Sequence, residues 1–139
     1  MVGRLLGIDH GARRMGLAMS DPIPLIATPF KTITISSTKM AVNNIVEMVQ
    51  EFDIFLIVIG LPVGIKGQVT KQTEHVQKFA NELVKKGLRI AFQDERLTSV
   101  SAQKAIRHQS KKIKQNKGLM DQTAAAIILQ QYIDTNYND

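Results

Sequence analysis

Apolar residues in the first half of the chain fall into short runs bounded by turns, the spacing of strands rather than helices. Leu5-Leu6-Gly7-Ile8 is one such run, and it ends abruptly in Asp9-His10-Gly11. Consecutive apolar positions predict a strand covered on both faces. A carboxylate at its end loses solvation that a cation or several donors must replace. The basic turn Ala12-Arg13-Arg14 and the run Met15-Gly16-Leu17-Ala18-Met19 predict a hairpin, which sets Asp9 at a strand end beside two arginines. Ile23–Ile33 predicts a third strand. Pro24 and Pro29 give it an edge position, because proline cannot donate to a ladder.

The period then lengthens. Ala41, Ile45, Val49 and Phe52 recur at helical steps behind a cap at Ser36 or Ser37, and Asp53 ends the pattern. Ile54–Ile59, the most hydrophobic run, predicts a central parallel strand, and Gly60–Gly67 a glycine-spaced loop after it. A helix carrying Val76, Phe79, Ala80, Leu83 and Val84 on one side stops at Gly87. The strand Leu88–Phe92 runs into Gln93-Asp94-Glu95-Arg96, and Thr98 or Ser99 caps a further helix. From Lys104 to Lys117 the chain is basic and poor in apolar residues, which predicts a mobile loop. The last helix aligns Asp121, Ala124, Ala125, Ile128, Leu129 and Tyr132 on one stripe, and the polar tail from Asp134 to Asp139 is expected to fray.

Length and composition narrow the function. At 139 residues the chain fits one domain, and no apolar run approaches the roughly 20 residues of a membrane span. The start enters a strand directly, so no secretory leader is expected and the cytoplasm is the expected location. Cysteine is absent, so any metal is held by oxygen or imidazole. A net charge of +6 suits a polyanionic partner, although aromatic residues for base stacking are only 5%.

Asp9 and Glu95 close strands and Asp121 opens a helix, element ends where polar groups collect. Two carboxylates about 4 Å apart repel by roughly 4 kcal/mol at an effective dielectric near 20, so acids that meet require a cation or a shared proton. Hard divalent ions bound by such acids stabilise the attacking and leaving oxygens of a phosphodiester. Each acid also has a plain structural alternative: Asp9 paired with Arg13 or Arg14, Glu95 with Arg96 or a lysine, Asp121 capping its helix. The glycine loop lacks the Gly-Lys-Ser/Thr ending of a P-loop, and His10, His75 and His108 lack zinc spacing. Only His10 lies beside the expected site, as a proton carrier or as packing.

Four blocks in order carry a resemblance over nearly the whole chain: Gly7-Ile8-Asp9-His10-Gly11 with Arg14-Met15-Gly16 and Ser20-Asp21; Ile59-Gly60-Leu61-Pro62; Asp94-Glu95-Arg96-Leu97-Thr98-Ser99; and Asp121-Gln122-Thr123-Ala124-Ala125 followed by Ile128-Leu129-Gln130. They resemble the YqgF family of the ribonuclease H-like superfamily, described as nucleases or Holliday-junction resolvase-like proteins. The resemblance implies an α/β fold of three layers, α/β/α, with a mixed five-stranded sheet, three strands antiparallel and two more parallel, and helices on both faces. It implies Asp9, Glu95 and Asp121 as acidic metal ligands, and a role in maturing the 5′ end of precursor 16S ribosomal RNA, with four-way DNA junction cleavage as the older proposal. Where many nucleases of the superfamily end the strand after the first helix in an acid, this chain has Gly60-Leu61-Pro62, so Glu95 must reach in from the neighbouring strand.

The expectation is therefore a single-domain endonuclease using magnesium or manganese, two ions, on structured RNA or branched DNA. Arg13, Arg14 and Arg96 would neutralise phosphates, and Arg107, Lys111, Lys112, Lys114 and Lys117 would clamp the backbone. The alternatives are a junction resolvase, which needs a two-fold dimer, and a binding factor without turnover. An ATPase of the two-lobed kind does not fit one domain of this length. Monomer and homodimer both stay open.

Overall fold

The computed structural model describes residues 3–24, 26–97 and 117–137. β1 (Arg4–His10) and β2 (Arg14–Ser20) form the expected hairpin, closed by the Gly11 amide on the Arg14 carbonyl at 2.9 Å. β3 (Ala27–Thr34) joins β2 antiparallel, and β4 (Ile54–Leu61) and β5 (Ile90–Asp94) extend the other side of β1 in parallel. The order is β3-β2-β1-β4-β5. β3 is an edge as its prolines require, and the ladder shifts register where Ala18 faces Pro29.

α1 (Thr38–Glu51) and α2 (Lys71–Lys85) cover one face, and α3 (Lys117–Asn136) covers the other. Ser37 is the α1 cap, its hydroxyl accepting from the Met40 amide, and Asp53 takes a left-handed φ of 52° to turn the chain into β4. Alternation along β1 divides the core. Leu6 and Ile8 pack under α1 and α2, whereas Leu5 packs under α3. Asp9 accordingly faces α3 and His10 faces α2.

Several expectations change. β3 starts at Ala27 rather than Ile23, β5 runs Ile90–Asp94 rather than Leu88–Phe92, and α3 begins at Lys117, so Asp121 lies one turn inside the helix instead of opening or capping it. Gly60 and Leu61 belong to β4, so the loop starts only at Pro62. Val84, placed on the core side of α2, is exposed because the buried stripe runs through Val76, Phe79, Ala80 and Leu83. The tail expected to fray from Asp134 stays helical to Asn136, where Thr135 and Asn136 side chains bond carbonyls one turn back. His10 turns away from Asp9. The helix expected from Thr98 or Ser99, and the basic stretch with Arg107, Lys111, Lys112 and Lys114, lie outside the described residues. Lys117 opens α3, and its side chain is likewise outside them. No helix of the described residues is long and apolar enough to cross a membrane.

Candidate active site

The C-terminal ends of β1, β4 and β5 lie side by side, and on the α3 face they bring two carboxylates together. Asp9 is paired across the hairpin with Gly16, and on its other side β4 reaches Gly60. A Cβ on Gly60 would stand 2.7 Å from the Glu95 Oε1 and 2.6 Å from Ile128 Cδ1. The bare glycine is therefore what lets Glu95, held in the 3₁₀ turn Glu95–Leu97, lie across β4 and hydrogen-bond Asp9. Burial, then the Asp9 charge and this hydrogen bond, push the Glu95 carboxyl from 4.5 up to about 7. Two carboxyls can share a hydrogen bond only with a proton between them.

Asp121 approaches from the other side of Asp9. A Cβ on Gly16 would stand 2.0 Å from the Asp121 carbonyl oxygen, so the first turns of α3 rest directly on β2 at this glycine. Thr32 and Gln122 pin the same end: the Thr32 hydroxyl donates to the Gly118 carbonyl at 2.6 Å, and the Gln122 amide donates to Thr32 Oγ1 at 3.2 Å. The Asp121 carboxylate accepts from Arg14 Nε at 2.7 Å. The three acids are thus a hydrogen-bonded pair, Asp9 with Glu95, and a third held by an arginine. Among the described residues, no three His, Asp or Glu side chains stand close enough to hold one ion.

Comparison with known proteins gives the family of the chain. A model of the family described as RuvX, Holliday junction resolvase, matches residues 3–135. The chain belongs to the RuvX family. The resemblance to YqgF proteins points to the same group, and the RuvX-family chain is an enzyme of the nuclease class. Among its relatives, a Crocosphaera subtropica protein named "Putative pre-16S rRNA nuclease" is 44% identical over 130 residues, 93% of this chain and 91% of the relative. A protein of the same name from Picosynechococcus is 40% identical over 131 residues, 94% and 91% of the two chains. The structure of T. thermophilus RuvC in complex with Holliday junction substrate superposes with a TM-score of 0.60, covering 97% of each chain at 13% identity. That likeness establishes the ribonuclease H-like fold.

The arginines of this RuvX-family site divide. Arg13 is exposed at the hairpin tip with no carboxylate beside it among the described residues, whereas Arg14 is engaged by Asp121. Arg96 grips Asp94, Nη2 to Oδ2 at 2.8 Å, and donates through Nη1 to the Ile65 carbonyl at 3.1 Å, tying the loop after β4 to the end of β5. Its guanidinium holds the Asp94 carboxyl below the usual range. Glu95, for which Arg96 was the plain alternative partner, is left to Asp9. Gly16 and Gly60 are the positions in this arrangement to which the sequence reading gave no role. A glycine inside a strand marks a close approach, a signal legible at Gly16, whereas Gly60 read as the start of a loop.

The pair has a measurable consequence. Because the folded-state pKa of Glu95 is raised, the native protein binds more protons than the unfolded chain between pH 4.5 and about 7. The associated stability is full below 4.5 and lost as pH rises through 7. Moving a carboxyl this far corresponds to about 3 kcal/mol, which partial exposure of the pair reduces to roughly 1–2 kcal/mol. Chelator-treated protein is expected to melt lower at pH 8 than at pH 5, and Glu95→Gln to flatten that profile. A wild-type profile already flat across this window would refute the shared proton.

Proposed function

We propose that this chain hydrolyses phosphodiester bonds with divalent metal, and that its substrate is structured RNA at the 5′ end of precursor 16S ribosomal RNA. The observation that carries the proposal is the Asp9–Glu95 pair. Two carboxyls kept together across a glycine, at a cost that a shared proton only partly offsets, fit a hard cation that replaces the proton. The donors are all oxygen, as magnesium or manganese requires. Bound there, such an ion lowers the pKa of a coordinated water and stabilises charge on the phosphoryl oxygens.

The chain's own residues supply the rest. Asp9 and Glu95 hold the first position, and Asp121, for a second ion, must exchange its arginine. Arg14 then passes from Asp121 to a phosphate of the bound strand, so substrate binding and completion of the acidic set are one event. Arg13 at the hairpin tip, Arg96 beside the loop, and the basic residues Arg107, Lys111, Lys112, Lys114 and Lys117 bind neighbouring phosphates. RNA processing of this kind belongs in the cytoplasm.

A second reading, a four-way DNA junction resolvase, is favoured by the description of the matching family. Purified protein incubated with precursor 16S ribosomal RNA and with a four-way junction, each with manganese or with chelator, separates the two. Metal-dependent cutting of the RNA supports the proposal. Cutting of the junction alone, by a dimer making paired nicks, replaces it. Salt-sensitive binding under single-turnover conditions with no product would make the chain a binding factor.

A further inference from the structure

The loop between β4 and α2 presents a side chain that neither the core nor hydrolysis uses. Ile65, at its tip, is 93% exposed, the most exposed large apolar side chain among the described residues. The tip is nonetheless firmly held. The Gly64 amide donates to the Gln68 carbonyl at 2.9 Å and the Gly67 amide to the Gly64 carbonyl at 2.8 Å, while Gln68 Oε1 accepts from the Lys66 amide at 2.9 Å. The Gln68 side chain lies against Gly64, where a Cβ would stand 2.1 Å from its Cδ, and Gly67 takes a left-handed φ of 84° beneath the Arg96 guanidinium. Arg96 donates to the carbonyl of Ile65 itself at 3.1 Å.

Three observations select what meets Ile65. Arg96 directly follows Glu95, so the tip is fixed to the neighbour of the acidic pair, and a strand with a phosphate at that pair brings a nearby base to it. Lys66 stands exposed beside Ile65 with no carboxylate partner among the described residues, and the half-exposed Arg96 guanidinium stands behind, so the apolar group lies between two cations. An apolar protein surface would desolvate the Lys66 ammonium without pairing it. A nucleic acid offers phosphates to the cations and the faces of its bases to the isoleucine, which takes the place of a stacked neighbour. The third observation is the stiffness of the loop: a tip already held by its own hydrogen bonds loses little freedom when it inserts.

We propose that Ile65 is a wedge that enters the base stack of a paired RNA segment beside the scissile phosphate and separates one base step. The RNA as occupant rests on the substrate proposed above, but the wedge needs no metal. The test uses a short RNA hairpin carrying 2-aminopurine, which brightens when unstacked, at successive steps of the stem in separate samples, with chelator present so that nothing is cut. Wild-type protein at saturation is expected to raise the fluorescence about threefold or more at one step. Ile65→Ser, which removes a side chain the core does not touch, is expected to bind within about threefold of wild type, because phosphate contacts dominate affinity, and to lose most of the rise. Ile65→Leu is expected to restore it. Ile23→Ser, the same change at a 64% exposed isoleucine at the opposite end of the sheet, is expected to behave as wild type. With manganese, Ile65→Ser is expected to cut the paired hairpin about tenfold more slowly than wild type, and a hairpin mismatched at that step at nearly the wild-type rate. A full rise with Ile65→Ser would overturn the wedge, as would no rise at any step, no binding of the hairpin, or equal slowing on both substrates. The expected fluorescence pattern in a protein that cuts nothing would keep the wedge and remove the nuclease. Manganese-dependent cutting with a full rise by Ile65→Ser would do the reverse.

Discussion

Asp9→Asn is expected to reduce metal-dependent cleavage about 10²-fold or more, while raising the melting temperature of the metal-free protein at pH 8. The two effects share one cause. Asp9 supplies negative charge opposite Glu95, and that charge is useful only when a cation answers it; without the cation it is repulsion across a half-buried hydrogen bond. An amide of the same shape keeps the contact and removes the conflict, so stability rises as activity disappears. A merely unfolded variant would lose both. Cleavage near wild-type rate by Asp9→Asn in magnesium would end the proposed mechanism, and a lowered melting point at pH 8 would mean that Asp9 serves the fold instead.

Gly16→Ala should produce the largest loss of stability of any single methyl added to the strands around the site. The new Cβ would lie 2.0 Å from the Asp121 carbonyl oxygen and 2.2 Å from its carbon, and both are main-chain atoms that cannot rotate aside. α3 has to lift from β2, at a cost of about 2–4 kcal/mol, or a melting temperature lower by about 10 °C. Lifting α3 also displaces Asp121 from Arg14, so cleavage falls with stability. Gly60→Ala is the instructive contrast. Its Cβ would meet side-chain atoms of Ile128 and Glu95 rather than main chain, so its thermal cost should be smaller than that of Gly16→Ala, and displacement of Glu95 should flatten the pH dependence of melting. If Gly16→Ala melts like wild type, α3 does not rest on β2 as described.

The strands and helices were readable because each obeys a local rule. The run before Asp9 is short and continuous in its apolar residues, Pro29 cannot donate in a sheet interior, and Ser37 can satisfy an amide at the start of α1. The boundaries that failed did so where neighbours outvoted local signals. Gly60 reads as the start of a loop, yet its pairing with Gln93 of β5 keeps it in the ladder. The tail after Asp134 reads as polar and loose, yet Ile133 is fully buried and anchors the last turn.

Sequence by itself determined the kinds of group available: oxygen ligands without thiols, an excess of positive charge, and two acids, Asp9 and Glu95, at strand ends, whereas Asp121 lies one turn inside α3. It left each acid with more than one partner, because chain position says nothing about which side chains meet across a sheet. Tertiary structure made those choices. It gave Asp121 to Arg14, gave Arg96 to Asp94, and joined Asp9 to Glu95. The deciding atoms are ones that two residues lack, since Gly16 and Gly60 carry no Cβ and so admit α3 on one side of Asp9 and the Glu95 carboxyl on the other. Strand alternation then sent His10 to the opposite face, a separation that follows from the pleat of β1 and becomes visible only once both faces are covered.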